Sequence, residues 1–381
     1  MDRAPTARLA GFYFAYYAAL GAYTPYFSVY LHARGLDAVA ISTVMSLWYA
    51  TRVLAPSTWS WAAGRSPRPV RWLRGGALLM LAGFVPFLWS LPYAGLALAM
   101  LVYAFFANAI MPQFETLTLS HLPGRSERYG SIRVWGSIGF IAVVLLYGQL
   151  FDHLDVRWLP ALMLPWLVLV LVLSLGNDYG PGHHEAPTAV EGIGAILRRR
   201  EVIAFFVIAL LMQMAFGPYH TLFSLYLRHH GYSSGAIGAL WAAGVGIEIV
   251  VFFLAARFLL RFAPRTVMLA GLLSAAARWT ATALLPQHAW VMVLAQLVHA
   301  LNFAAFYAAA MRLLTRYFPG RLLGHGQGVY YGFSSGVGGV LGALLTGRLW
   351  ALDDGRSAFL MAAALCLLGA WVALRGLPAE S

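Results

Sequence analysis

Long apolar runs recur along the chain, separated by short polar connections. They fall at 9–31, 40–63, 75–92, 93–120, 129–151, 157–176, 202–227, 234–262, 265–285, 289–318, 325–349 and 357–375. A helix needs about 20 consecutive apolar residues to cross a bilayer. The pattern therefore predicts twelve membrane-spanning helices in an all-α membrane protein. The longest polar stretch, Asn177 to Glu201, divides the runs six and six. It is the expected cytoplasmic linker between two six-helix bundles at 1–176 and 202–381.

Composition agrees with the pattern. Of 381 residues, 61% are hydrophobic and 10% charged, too few charges for a water-soluble surface. The net charge of +12 invites a nucleic-acid reading, but the placement of the charges argues against it. All 26 basic residues are arginine. With the N-terminus in the cytoplasm, about 18 border the cytoplasmic side, among them Arg65, Arg68, Arg71, Arg74, Arg198, Arg199 and Arg200, and about five the other. That asymmetry is the positive-inside rule, and it predicts both termini in the cytoplasm. The single cysteine, Cys366, excludes a disulfide framework or a cysteine-based metal site. The first run, from Leu9, carries Tyr, Pro and Gly and reads as a retained helix, not a cleaved signal.

An internal repeat underlies the six-and-six division. Residues 19–52, ALGAYTPYFSVYLHARGLDAVAISTVMSLWYATR, align without gaps on 215–248, AFGPYHTLFSLYLRHHGYSSGAIGALWAAGVGIE, with ten of 34 positions identical. Gly21/Gly217, Tyr23/Tyr219, Tyr30/Tyr226 and Gly35/Gly231 are among the identities. The same offset of 196 pairs Ala104 with Ala300 and Gly136 with Gly332. An offset spanning an even number of helices gives both bundles the same orientation. Parallel repeats with a site between them near the midplane describe the major facilitator architecture.

A charge in hydrocarbon costs at least about 2.5–3.5 kcal/mol on insertion scales, so each one calls for a reason. Arg52, Glu248, Arg278 and His299 lie near the centres of their runs; Glu115 and Arg133 lie toward the cytoplasmic side. Arg52 and Glu248 are counterparts under the repeat. One reading is a structural ion pair, or two separate local pairs, holding the halves together; the other is that Glu248 is a proton carrier. Burial favours the neutral carboxyl and a nearby guanidinium the charged one, so a change of partner loads or releases a proton. Arg278 and His299 are the candidate changing partners. Tyr16, Tyr23, Tyr26, Tyr219, Tyr330 and Tyr331 read mainly as packing or interfacial aromatics; Tyr23 and Tyr219 are the candidates for stacking on a ring-bearing solute. There is no nucleotide loop, HExxH motif or nucleophile elbow, and no cofactor or metal is expected.

RYGSIRVWGSIGF at 128–140 resembles the fifth-helix signature of the major facilitator branch that holds the lactose permease and the phenylpropionate permeases. YFSVYL with a following glycine, the eighth-span glutamate, ARW at 277–279 and the tenth-span histidine followed by AAMR at 309–312 are similar to the phenylpropionate permease family. The resemblance implies that Glu115 and Arg133 bind substrate and that Glu248, Arg278 and His299 serve proton coupling. It also implies a multi-pass protein of a bacterial inner (plasma) membrane. Two positions depart from the branch. Asn302 stands where it has a carboxylate three residues after the histidine, and WSWAAGRSPRPVR at 59–71 lacks the usual loop aspartate.

These features point to a proton-coupled symporter of a small organic solute, such as an aromatic or short carboxylate, working as a monomer. A sugar or nucleoside symporter and a drug exporter are the alternatives within transport. A membrane receptor or scaffold has no evident use for six buried ionisable residues, and an enzyme lacks its nucleophile or metal cluster.

Overall fold

The computed structural model describes residues 5–124, 128–180, 193–258 and 261–379, with the side chains of 252–258 and 321 outside the description. The middle of the expected linker, 181–192, is likewise outside it. The described chain forms long helices: α1 Thr6–Ala33, α2 Ala38–Gly64, α3 Val70–Phe84, α4 Tyr93–Ser120, α5 Tyr129–Phe151 and α6 Leu159–Gly176. After a helical turn at Ile193–Leu197 follow α7 Arg200–His229, α8 Ser234–Phe258, α9 Pro264–Leu284, α10 Ala289–Tyr317, α11 Leu323–Asp353 and α12 Arg356–Gly376.

Eleven of these are long and apolar enough to cross a membrane. The twelfth, α1, has 28 residues but many tyrosines. Their hydroxyls are satisfied inside the protein: Tyr13 donates to Thr118 Oγ1 at 3.3 Å, Tyr16 to the Ala107 carbonyl at 3.0 Å and Tyr26 to the Val144 carbonyl at 2.8 Å. A helix surrounded by other helices needs no lipid-facing apolar surface, so α1 crosses as an internal element.

The repeat is visible in local chemistry. Gly35 and Gly231 both take the left-handed backbone, φ 88° and 84°, that glycine adopts without strain. Asp37 and Ser233 then cap α2 and α8, accepting from the amides of Ala40 and Ala236 at 2.8 and 3.2 Å. Tyr30 donates to the Phe87 carbonyl at 3.0 Å; Tyr226, its counterpart, donates to those of Thr282 and Ala283 at 3.0 and 3.4 Å. The two bundles differ in helix regularity. α10 and α11 contain π-helical turns, Leu301–Ala305 and Tyr331–Gly338, the first beginning two residues after His299.

Small residues let helices approach closely. A methyl group on Gly139 would sit 2.4 Å from the Phe14 carbonyl, and one on Gly217 2.5 Å from the Gly342 backbone. Between the bundles, close approaches lie on the side away from the linker. There Gly148 of α5 meets Ser234 and Gly235 of α8, and the Gly235 amide donates to Asp152 Oδ2 at 3.1 Å. Gly336, Gly339 and Gly347 of α11 meet Val53, Tyr49 and Ser42 of α2. Toward the linker, Leu54 and Trp61 of α2 and Tyr331 and Phe333 of α11 are exposed.

Candidate functional site

Each bundle holds one polar cluster. In the second bundle, helix depth brings Glu248, Arg278 and His299 together, as expected from the sequence. Arg278 Nη1 lies 2.8 Å from His299 Nδ1, and His299 Nε2 lies 2.6 Å from Glu248 Oε1. A guanidinium only donates, so His299 Nδ1 is the acceptor and the imidazole hydrogen resides on Nε2, donated to Glu248. The three residues form one directed chain, and the imidazole in it is neutral. The Arg278 guanidinium also lies over the rings of Trp279 and Tyr219, at 4.1 and 4.7 Å. Tyr219 is buried and donates to Gln296 Oε1 at 3.0 Å. Asn302 is turned away, donating to the Gly271 carbonyl at 2.9 Å and Ser274 Oγ at 2.7 Å.

In the first bundle, Glu115 and Arg133, which the resemblance groups together, meet with Nε to Oε1 at 3.8 Å. Tyr129 donates to Glu115 Oε1 at 3.3 Å, and Arg133 Nη2 donates to the Tyr17 hydroxyl. The Arg133 guanidinium lies over the Tyr17 ring at 4.2 Å. The pair remains accessible, with side-chain exposures of 40% for Glu115 and 29% for Arg133. Glu115 acts electrostatically on Tyr307 and Tyr331 of the second bundle, whose hydroxyls are hydrogen-bonded to each other.

Arg52 and Glu248 do not pair across the bundles. Arg52 Nε donates to Asn108 Oδ1 at 3.3 Å, and the guanidinium lies 5.4 Å from the Tyr49 ring. Asn108 is held in turn by the Trp48 carbonyl and Thr51 Oγ1, both at 3.0 Å. Tyr23 is buried within the first bundle, against Met45 Sδ at 3.4 Å and stacked on Trp48 at 4.9 Å. It is the counterpart of Tyr219, and Met100, 3.8 Å from its hydroxyl, is the counterpart of Gln296. The structure adds His220 of α7, stacked on Phe216 and within electrostatic range of Arg52, with its buried Nδ1 unpartnered. Asn108, Gln296 and His220 are the polar residues that sequence reasoning passed over; their signal was a polar side chain within an apolar run.

Two parallel six-helix bundles, each with a charged cluster, define a membrane-spanning transporter of the major facilitator fold. Residues 6–361 match the MFS_1-like family, and the chain belongs to it; it is a transporter and not an enzyme. The probable 3-phenylpropionic acid transporter of Escherichia coli (strain K12) is 28% identical over 316 residues, covering 81% of this chain and 82% of that protein. The maltose permease of Geobacillus stearothermophilus is 28% identical over 345 residues, covering 89% and 86%. Among solved structures, that of the nucleoside transporter NupG superposes with a TM-score of 0.86 at 15% identity, covering 98% of this chain and 99% of that one. That of a D-xylose-proton symporter gives 0.76 at 15% identity, covering 99% and 97%.

Proposed function

We propose that the protein is a proton-coupled symporter of a small organic monocarboxylate, aromatic in character, working by alternating access as a monomer in a bacterial inner membrane. The bundles 1–176 and 202–381 rock about the central gap, with linker and termini on the cytoplasmic side. The observation that carries the coupling is the chain Arg278–His299–Glu248. While Arg278 occupies His299 Nδ1 the imidazole has no free position for a second proton, which leaves Glu248 as the group that takes one up. Protonated, Glu248 no longer offers a charged acceptor to His299 Nε2, and the chain loosens. That couples proton binding to helix position without a second carboxylate at Asn302.

The monocarboxylate reading has two supports. One relative is described as a 3-phenylpropionic acid transporter. The intramembrane charges also set three guanidinium groups (Arg52, Arg133, Arg278) against two carboxylates (Glu115, Glu248), an excess of one positive charge when His299 is neutral. A monoanion offsets the further positive charge that protonation of Glu248 adds, so the loaded site keeps the charge of the empty one. Tyr17, Tyr307 and Tyr331 supply aromatic surface around Glu115 and Arg133, which orient the solute.

A polyhydroxyl solute is the second reading. The accessible Glu115–Arg133 pair supplies both acceptor and donor to hydroxyl groups, and the other relative is described as a maltose permease. Counterflow in proteoliposomes, with labelled 3-phenylpropionate and labelled maltose as alternative solutes, tests both. Exchange of the acid alone supports the first reading, and exchange of the sugar alone replaces it with the second.

A further inference from the structure

The two repeats treat their matched charges differently. Glu248 has His299 at 2.6 Å and, through it, Arg278. At the same offset, the first bundle has Tyr103 where the second has His299 and Ala82 where it has Arg278. Tyr103 is buried and packed on Phe84 at 4.9 Å, and neither residue offers a counter-ion. Arg52 therefore keeps only neutral partners: Asn108, which uses Nε alone, and the rings of Tyr49 and Trp48 at 5.4 and 6.0 Å. Both terminal nitrogens are without a hydrogen-bond partner among the described residues, and the side chain is partly exposed. It lies within electrostatic range of Tyr16 and Tyr17 of α1 and of His220 of α7. Arg133, by contrast, already has a carboxylate, Glu115, and a tyrosine hydroxyl.

An uncompensated guanidinium at mid-depth is costly unless an anion joins it. Its two free Nη groups match the two oxygens of a carboxylate. We infer that Arg52, aimed by Asn108 through Nε, is the anchor for the solute's carboxylate, opposite His220 of the second bundle, and that Arg133 is not. This inference rests on the monocarboxylate reading above. It assigns the unpaired repeat position to the ligand: the second bundle carries its own counter-ions, while the first takes one from the solute. The anion then touches the bundle that lacks the proton site, so solute and proton load opposite sides of the gap.

The test is direct binding of 3-phenylpropionate to purified full-length protein in nanodiscs, followed by titration calorimetry. Arg52→Gln should weaken binding about 10- to 150-fold, the range for loss of a charge-assisted hydrogen bond. Asn108→Asp supplies Arg52 with an internal carboxylate of nearly the same shape and keeps the arginine, so it should also weaken binding at least about 10-fold. Arg133→Gln should cost less than either. Monodispersity and melting temperature establish that each variant is folded. Tight binding by folded Asn108→Asp and Arg52→Gln, with loss in Arg133→Gln, would overturn the anchor while leaving the monocarboxylate reading intact. No binding to wild-type protein would remove both.

Discussion

Arg52 and Glu248 each stand fourteen residues past the first residue of their helices, Ala38 and Ser234, yet they belong to separate clusters. Arg52 rests on Asn108 of its own bundle and Glu248 on His299 of the other. Matched depth with unmatched partners is what gives the two bundles different tasks.

Glu248→Gln should abolish uphill accumulation while solute exchange persists. A neutral amide still accepts from His299 Nε2 but cannot load or release a proton. Accumulation equal to wild type in this variant would remove Glu248 as the carrier.

His299 is expected to bridge and not to titrate. A glutamine side chain has an acceptor oxygen and a donor NH2, so His299→Gln can receive from Arg278 and donate to Glu248. Proton-driven accumulation should survive at reduced rate with an unaltered pH profile, whereas His299→Leu should uncouple it. Loss of coupling in His299→Gln as complete as in Glu248→Gln would show that the imidazole itself carries the proton.

Glu115→Gln and Arg133→Lys separate the solute classes. For a monoanion, Glu115 repels the ligand, so Glu115→Gln should be mild or favourable; Arg133→Lys loses the planar fork and should weaken affinity, though less than Arg52→Gln. For a polyhydroxyl solute the pair acts jointly, and both variants should lose affinity equally and severely. Parallel affinity measurements with one bound solute decide between them.

The tight α1–α5 contact predicts a structural variant. Gly139→Ala places a methyl 2.4 Å from the Phe14 carbonyl, a backbone atom that cannot step aside without moving α1. A cost of about 1–3 kcal/mol is expected for such overpacking. A thermal melt in detergent should show a lower midpoint; an unchanged midpoint would mean α1 shifts freely.

Much of this was legible in the sequence. Run lengths located the helices, and the constant offset of 196 anticipated the shared glycine turns at Gly35 and Gly231. The resemblance grouped Glu115 with Arg133, and depth made His299 a candidate partner of Glu248. Depth does not give azimuth, however. Tyr23 and Arg52 both lie on inward-reading helices, but Tyr23 turns into its own bundle and Arg52 toward the gap. Asn302, three residues after His299 and within the π-turn Leu301–Ala305, points instead at Gly271. The tyrosines of α1 lowered its apolarity for the same reason that they suit it: every hydroxyl named above bonds to protein.

Arginine placement predicts that the linker faces the cytoplasm. A reporter enzyme fused after Arg199 should be active only in its cytoplasmic form. A periplasmic readout would invert the orientation.

The central claim, coupling of a monocarboxylate to a proton through Glu248, meets its most direct test in proteoliposomes with an alkaline interior and the membrane potential clamped at zero. One monoanion and one proton add no net charge to the carrier, so the pH difference alone should drive labelled 3-phenylpropionate inward. Accumulation should exceed that in protein-free vesicles, which a weak acid also enters by diffusion, and fall to that level in Glu248→Gln. Uptake no greater than in protein-free vesicles, by protein that binds the acid, would contradict the account.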